Sequence, residues 1–564
     1  MLRGWLTYVA VAVLLTGTVA AAAAATPGGT PTSVSDRYQT HVFIRGAPIH
    51  GANGLAIDES GRLLVASVLG GELVALDPQT GQILDRLGHA VGVDGPDDVA
   101  VGPDGSIYWT DIIIGEVGKL APDGTVTKQF VGQGMNPIAF TASGRLFVAQ
   151  AFFGDGLYEL DPDLQNPPRV VIPNSGAPPF VQQLNGFDFG PDGKLYSPQP
   201  FLGRIVRIDP ESGAMTLLTQ FPAGVTAGSV EFDSQGRLHA SLVDGTIVRV
   251  DRITGMYSTV ATIRDAVLDN MVFDARDRLF VSNSDDGAVY SVAQGGGVRT
   301  LSPGGLILPG GVALMEGASG QVSLLVADVW SMAEFDADSG RLIEVDRQSR
   351  VGGGIVEPWT VAPDGGNVII TSWMSNAVQI WDPAANEQVA IFTDFAVPLN
   401  ALRFQGDLVV AELGTGSVSR KQGAGAKSPI ATGLFVPTGL AATDDDLWVA
   451  DWATGIVWQI VADGVVLPSK QFTTGGLAFP EGMAVDSDGS LLVLEAGADR
   501  LTRIDPATGG KTTLVTGLEL GAVFSAGAPP AVPLSSVAVG RNGTLFVTGD
   551  VANVVYRLRA LPSS

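Results

Sequence analysis

Cysteine is absent from the 564 residues, so disulfides, thiolate metal centres and cysteine-linked lipids are excluded. Histidine is nearly absent. His41, His50, His89 and His239 stand far apart, without the spacing that zinc ligation or paired-histidine chemistry requires. Positive charge is scarce: 33 Lys and Arg face 58 Asp and Glu, a net charge of −25. Nucleic-acid surfaces need clustered cations, so that class of partner is set aside. No G-x-S-x-G, P-loop or H-E-x-x-H pattern occurs, which disfavours serine hydrolases, nucleotide hydrolases and zincins. The one long apolar run, Leu6–Val19, follows Arg3 and precedes the small-residue zone Ala20–Ala25. This predicts a signal peptide over 1–25, a Pro/Gly/Thr linker over 26–40 and a secreted or periplasmic protein with no membrane attachment after cleavage. An uncleaved anchor is the alternative.

What the chain has in abundance is glycine, 73 residues, with 45% hydrophobic and only 16% charged residues. That composition suits many short strands joined by tight turns. The stretch NGFDFGPDGKLYSPQPFLGRIVRIDPESG, Asn185 to Gly213, shows the unit: three short apolar runs separated by turns, with a fourth run at Met215–Leu218. Its Gly-Pro-Asp-Gly turn marks an antiparallel hairpin. Comparable turns recur twelve times, from Asp58–Gly61 to Arg541–Gly543. A second turn marker recurs in phase at Asp77–Gly81, Asp209–Gly213, Asp251–Gly255, Asp336–Gly340 and Asp505–Gly509. A four-stranded repeat of about 40 residues is a β-propeller blade, and rings hold roughly four to eight blades. Twelve blades predict an all-β chain of two consecutive six-bladed β-propellers, over 41–301 and 302–564. The twelfth unit lacks a fourth strand. One wiring has His41–Arg45 close unit six and Val298–Leu301 close unit twelve; in the other, Val298–Leu301 stays in its own blade.

Strand one of a blade lines the channel, so the residue at its head and the residue at the tail of strand two share one end of the ring. Counting from the turns places Asn53, Asp97, Asn136, Asn185, Gly228 and Asp269 at the heads of the first ring. The tails there are Ser67, Asp111, Gln150, Gln199, Leu242 and Asn283. The same count gives Gly310, Glu357, Asn400, Thr438, Glu481 and Ser535 as heads of the second ring, with Asp328, Ser372, Glu412, Asp451, Glu495 and Gly549 as tails. Six acids then crowd the second funnel with no Lys or Arg among them. Like charges about 4 Å apart repel by roughly 4 kcal/mol at an effective dielectric of 20. A divalent cation would relieve this, Ca²⁺ first and Mg²⁺ or Mn²⁺ next for oxygen-only ligands; protonation or hydration of the acids is the alternative. Seven of nine tryptophans lie between Trp330 and Trp458. Trp330, Trp359, Trp373 and Trp452 fall near the mouth as pocket walls or core, whereas Trp381, Trp448 and Trp458 read as blade packing.

Units such as NGFDFGPDGKLY and PDDVAVGPDGSIYWTD resemble the senescence-marker-protein/gluconolactonase-like and NHL-repeat six-bladed propellers. In that family Glu, Asn and Asp at first-strand heads hold a metal beside an acid that serves as base. The resemblance implies Glu357, Asn400 and Glu481 as metal ligands, with Asn185 and Asp269 as further matches in the first ring. Asp451 or Glu412 would be the general base, and Trp330, Trp359, Trp373 and Trp452 the substrate-binding wall. The function expected is a metal-dependent hydrolase of a small lactone or ester. A non-catalytic binding scaffold and a lyase or synthase are the alternatives.

Overall fold

The computed structural model describes residues 31–561, apart from 35–36, 177, 179, 318–319, 349–353 and 523–533. The expected signal segment, Leu6–Ala25, lies outside the described residues. Among those described, no helix is long and apolar enough to cross a membrane. The described chain forms twelve antiparallel sheets, eleven of four strands and one of five. They fall into two compact units, one running from Ala47 to Ile307 and the other carrying the strands from Val312 onward. The protein is all-β, two consecutive six-bladed propellers.

Burial explains why the repeat reads as it does. Strand two of each blade is covered on both faces by its neighbours, so Leu63–Ser67, Leu146–Gln150 and Leu491–Glu495 are buried at every residue. The outer strand faces water, and in Ile83–Leu87 no residue is buried. Apolar layers lie between successive blades. Trp109 of blade two, for instance, packs on Leu64, Ala66, Leu73 and Ala75 of blade one. The first ring closes where Leu55, Leu63 and Val65 of blade one meet Phe280, Val289 and Leu301 of blade six. The second closes where Thr548 Oγ1 of blade twelve donates to Gly310 O of blade seven (2.6 Å). Trp381 and Trp448 are buried in these interblade layers and Trp458 packs against one, as expected.

The strand closure corrects the first of the two wirings. Val298–Ser302 pairs with Val289–Val292 in its own blade. The N-terminal strand Tyr38–Arg45 instead pairs with Val554–Ala560 as the fourth strand of blade twelve, from Tyr38↔Ala560 to Arg45↔Val554. The physical reason is the open edge of Val554–Ala560. Among the described residues Tyr38–Arg45 is the strand that covers it, whereas Val289–Val292 is covered by the next segment of chain, Val298–Ser302. Within this pairing the Arg557 guanidinium lies over the Phe43 ring, 3.9 Å from its centroid. Thr32–Ser33 adds a fifth strand to blade eleven, on Lys511–Thr516. The strand that one wiring had closing unit six of the first propeller therefore belongs to the second.

Removing residues 1–46 should uncover that edge and loosen one ring only. Hydrogen exchange should show protection falling by about tenfold or more across 312–560, with 55–302 unchanged. Loss of protection in both regions, or in neither, would contradict this closure.

Candidate functional site

One hydrogen bond fixes which side chain stands at each mouth. In blade one the Asn53 N–H donates to Ala66 O (2.9 Å), and in blade four the Asn185 N–H donates to Pro198 O (3.2 Å). Each acceptor lies one residue before the tail of strand two. The following N–H reaches the head of the next blade, as when Gly54 N donates to Asp97 O (2.9 Å). In blades two, three, five and six the register shifts at Asp97, Asn136, Gly228 and Asp269, the bulge that starts strand one. The first head ring is therefore the expected one: Asn53, Asp97, Asn136, Asn185, Gly228 and Asp269.

The second ring differs from expectation at two blades. Trp359 N donates to Thr371 O (3.0 Å) and Gly311 N donates to Trp359 O (2.9 Å), which makes Trp359 the head of blade eight. In blade nine Pro398 pairs with Glu412, as Pro96 does with Asp111 and Pro480 with Glu495. The head there is Leu399. Glu357 thus stands two residues before its head and Asn400 one residue after, and only Glu481 of the three expected metal ligands occupies a head position. The cause is turn length. Blades eight and nine use two-residue hairpins, with Asp364↔Asn367 and Phe404↔Asp407 paired, whereas blade two leaves five residues between Val101 and Ile107. A count back from the turn therefore misses the head, going two residues too far in blade eight and stopping one short in blade nine.

The acids of the second mouth hold loops. Leu308 N donates to Asp328 Oδ1 (2.7 Å), Ala396 N to Glu412 Oε2 (2.6 Å) and Ala478 N to Glu495 Oε2 (2.8 Å). Both Asp451 oxygens accept backbone N–H groups, from Phe435 and Val436 (3.0 Å each). In every case the tail carboxylate pins the loop leading into strand one of its own blade. Cations enter as well, against the expectation that none would: Lys427 Nζ pairs with Glu412, and Arg500 Nε with Glu495 Oε1 (2.8 Å). Burial works to raise the Glu495 carboxyl, but the Arg500 and Thr502 hydrogen bonds outweigh it and hold it below the usual range. Glu357 accepts from Gln348 Nε2 (2.5 Å) at one oxygen and from Ser372 and Ser375 at the other. Glu481 accepts from Ser535 N (2.9 Å), and burial with the nearby Asp550 pushes its carboxyl well up. Trp359 and Trp373 are buried against each other (centroids 5.1 Å apart), and Trp452 stacks on Phe479 at 4.2 Å. Trp330 is half-buried.

The first mouth is different in kind. Asp97 and Asn136 are 7% and 8% exposed, yet neither side chain makes a hydrogen bond with any described residue, and nor does that of Asn185. Burial, then the Asp269, Asp98 and Asp111 carboxylates, hold Asp97 well above the usual carboxylate range. Asn53 Nδ2 donates to Asp269 Oδ2 (3.4 Å). At blade six, Asn283 is fully buried, and its Nδ2 has no partner among the described residues. Directly below, Asp98 accepts from Val99 N (2.9 Å), Ile138 N (3.2 Å) and Asn270 Nδ2 (2.9 Å), joining blades two, three and six. Burial pushes Asp98 up to about 7 despite these donors. Farther along the inner strands Asp188 accepts from Phe189 N (2.7 Å) and Phe232 N (2.9 Å). Burial raises Asp188 to about 6, and burial with Asp188 and Asp98 raises Glu231 well above its ordinary value.

Crowding of like charges, expected of the second funnel, is thus found at Asp97 of the first, where among the described residues neither a loop N–H group nor a Lys or Arg relieves it. The oxygens available, carboxylate and amide, suit a hard divalent cation. Among the described residues no three His, Cys, Asp or Glu side chains already converge as a metal cage. Asp98, Asp188, Glu231 and Asn270 were missed by sequence counting. The signal for Asp98 was present in PDD, where two consecutive acids stand at a bulge.

No protein-family description matches the chain, and no curated protein matches it in sequence. Similar solved structures include a streptogramin B lyase, 17% identical over 51% of this chain and 94% of that one, with a TM-score of 0.37. A gluconolactonase from Xanthomonas campestris is 17% identical over 48% of this chain and 96% of that one (TM-score 0.36). The extracellular domain of a one-component system from B. thetaiotaomicron is 12% identical and covers 93% of this chain and 82% of that one (TM-score 0.31). The fold assignment rests on strand pairing, not on these likenesses.

The half-buried acids Asp188 and Glu231 of the first channel set a pH dependence. Asp188 and Glu231 keep protons in the folded state that the unfolded chain releases above about pH 4. Their stabilisation is complete below that pH and is lost as pH rises through about 6 and beyond. Thermal unfolding of the first propeller should fall by roughly 5–10 °C between pH 5 and pH 8, for a contribution on the order of a few kcal/mol. Glu231→Gln should flatten that slope. A midpoint that rises over this range, or a slope unchanged in the variant, would contradict the assignment.

Proposed function

We propose that the protein is an exported hydrolase of a small lactone or ester, with its site at the mouth of the first propeller rather than the second. The observation that carries this is Asp97, a buried carboxylate beside Asp269 and Asp98 with no hydrogen-bond donor of its own among the described residues. A group held that way is costly unless it serves a ligand. Asp97 and Asp269, with the side-chain oxygens of Asn53, Asn136 and Asn185, would hold Ca²⁺, or Mg²⁺ or Mn²⁺ in its place. Such a cation supplies Lewis-acid polarisation of a carbonyl and a more acidic bound water. We assign proton transfer to Asp98, the carboxyl next to Asp97, which Val99 N, Ile138 N and Asn270 Nδ2 hold in place.

A second reading, a binding site at the other mouth, has one supporting observation. Glu481 and Asp550 are buried together there and bridged by Ser535, with Asp550 raised to about 6 by burial. The two readings separate in one experiment. Chelated protein titrated calorimetrically with CaCl₂ should bind the ion, and Asp97→Asn or Asp269→Asn should weaken binding by about 100-fold and remove lactone cleavage. Glu357→Gln and Glu481→Gln should leave both nearly unchanged. The opposite pattern would move the site to the second propeller, and calcium indifference in all variants would remove the metal from the account.

A further inference from the structure

The loops of blades three and four carry exposed aromatic side chains at the same mouth. Phe152 lies two residues past the tail Gln150, and Phe201 lies two residues past the tail Gln199. They are 39% and 44% exposed, with ring centroids 6.5 Å apart and edge to face at 88°. Val181, in the loop leading to Asn185, is 36% exposed. Other exposed apolar residues of this propeller, such as Ile253, Met256 and Leu217, lie at the opposite turn or on outer strands.

Two features show that this rim is held in place. Phe152 has a left-handed backbone (φ 61°), a conformation that is strained for a bulky residue and that glycine would adopt freely. Its N–H is fixed by the side-chain oxygen of Gln183, which is only 2% exposed. Phe201 rides on the single turn Pro200–Leu202. Thr226 Oγ1 donates to Pro200 O (2.7 Å) and Gln220 Nε2 to Leu202 O (3.0 Å), tying that turn to the neighbouring chain. Strain is thus maintained to present an aromatic face to water, beside the amides Asn136 and Asn185 and across the ring from Asp269. A mouth with acids on one side and fixed aromatics on the other is matched to an amphiphilic ligand.

We propose that Phe152 and Phe201 form the subsite for an apolar substituent of the substrate, so that the preferred lactone or ester carries an alkyl or aryl group rather than a polyhydroxyl one. This deepens the hydrolase reading above and rests on it for the reacting group. γ-Nonalactone and γ-butyrolactone share a ring and differ by an alkyl chain, which makes them the probes. Native protein with calcium should show kcat/KM about 10- to 100-fold higher for γ-nonalactone. The Phe152→Ala/Phe201→Ala protein should lose about tenfold or more of that preference, through KM, while γ-butyrolactone cleavage stays unchanged. Equal kcat/KM for both lactones, or an equal loss on both in the variant, would overturn the subsite while leaving the hydrolase reading intact. If neither lactone is cleaved, the hydrolase reading fails, and calorimetric binding decides the subsite separately. Tighter binding of γ-nonalactone that the double variant abolishes supports it; equal binding overturns it. Phe152→Gly, which relieves the backbone strain, should raise the thermal midpoint while reducing γ-nonalactone affinity, so loss of fold does not mimic loss of the subsite.

Discussion

The register of a blade is set where strand one begins: in blades one, four, seven and eight the head N–H donates to the carbonyl just before the tail of strand two, and in blades two, three, five, six, nine, ten and eleven the register shifts at the same place. This junction decides which side chain meets the axis. It is repeated, through Asn53, Asn185, Gly310 and Trp359 among others, and every statement about the two mouths depends on it. A shift of one or two residues exchanges an amide for a buried leucine, or a carboxylate for a buried tryptophan. That is the difference between Asn400 and Leu399, and between Glu357 and Trp359.

The two propellers apply one architecture to different ends. In the second, acids at strand-two tails serve as anchors, since a carboxylate that accepts one or two loop N–H groups satisfies backbone that a ring of short connections would otherwise leave unpaired. Asp328, Glu412, Asp451 and Glu495 all do this, and Asp550 does so for Gly521 and Ala522. In the first, tail positions are mostly Ser, Gln and Asn. They tie loops with neutral groups, as Gln199 does through Gln182 O and Ser67 through His50 O. The acids there move to the heads and to the inner strands, where backbone N–H groups of adjacent blades reach only some of them. Asp98 is well supplied with donors; Asp97, its neighbour in sequence, is not.

The fold was legible because turns repeat in phase, and a marker such as PDG or DPxxG needs only local backbone conformation to be read. Blade number, strand order within a blade and the first head ring followed from it. The final closure was not legible. Nothing local distinguishes Tyr38–Arg45 from Val298–Ser302 as a closing strand, because the choice depends on which distant edge is left open. The second head ring was lost for the converse reason: blades eight and nine carry shorter hairpins, so a count anchored on turns fails while one anchored on strand pairing holds. Charge was misjudged similarly. Lys427 and Arg500 lie on the outer two strands, and only packing shows that their long side chains return to Glu412 and Glu495.

The central claim is that Asp97 at the first mouth has neither donor nor cation among the described residues, whereas the tail acids of the second mouth are held by loop N–H groups. Crystals soaked in MnCl₂ and measured at the manganese edge test it most directly. An anomalous peak about 2.0–2.6 Å from carboxylate oxygens of Asp97 and Asp269 is the predicted result. A peak at Glu357 or Glu481 with none at Asp97 would contradict it.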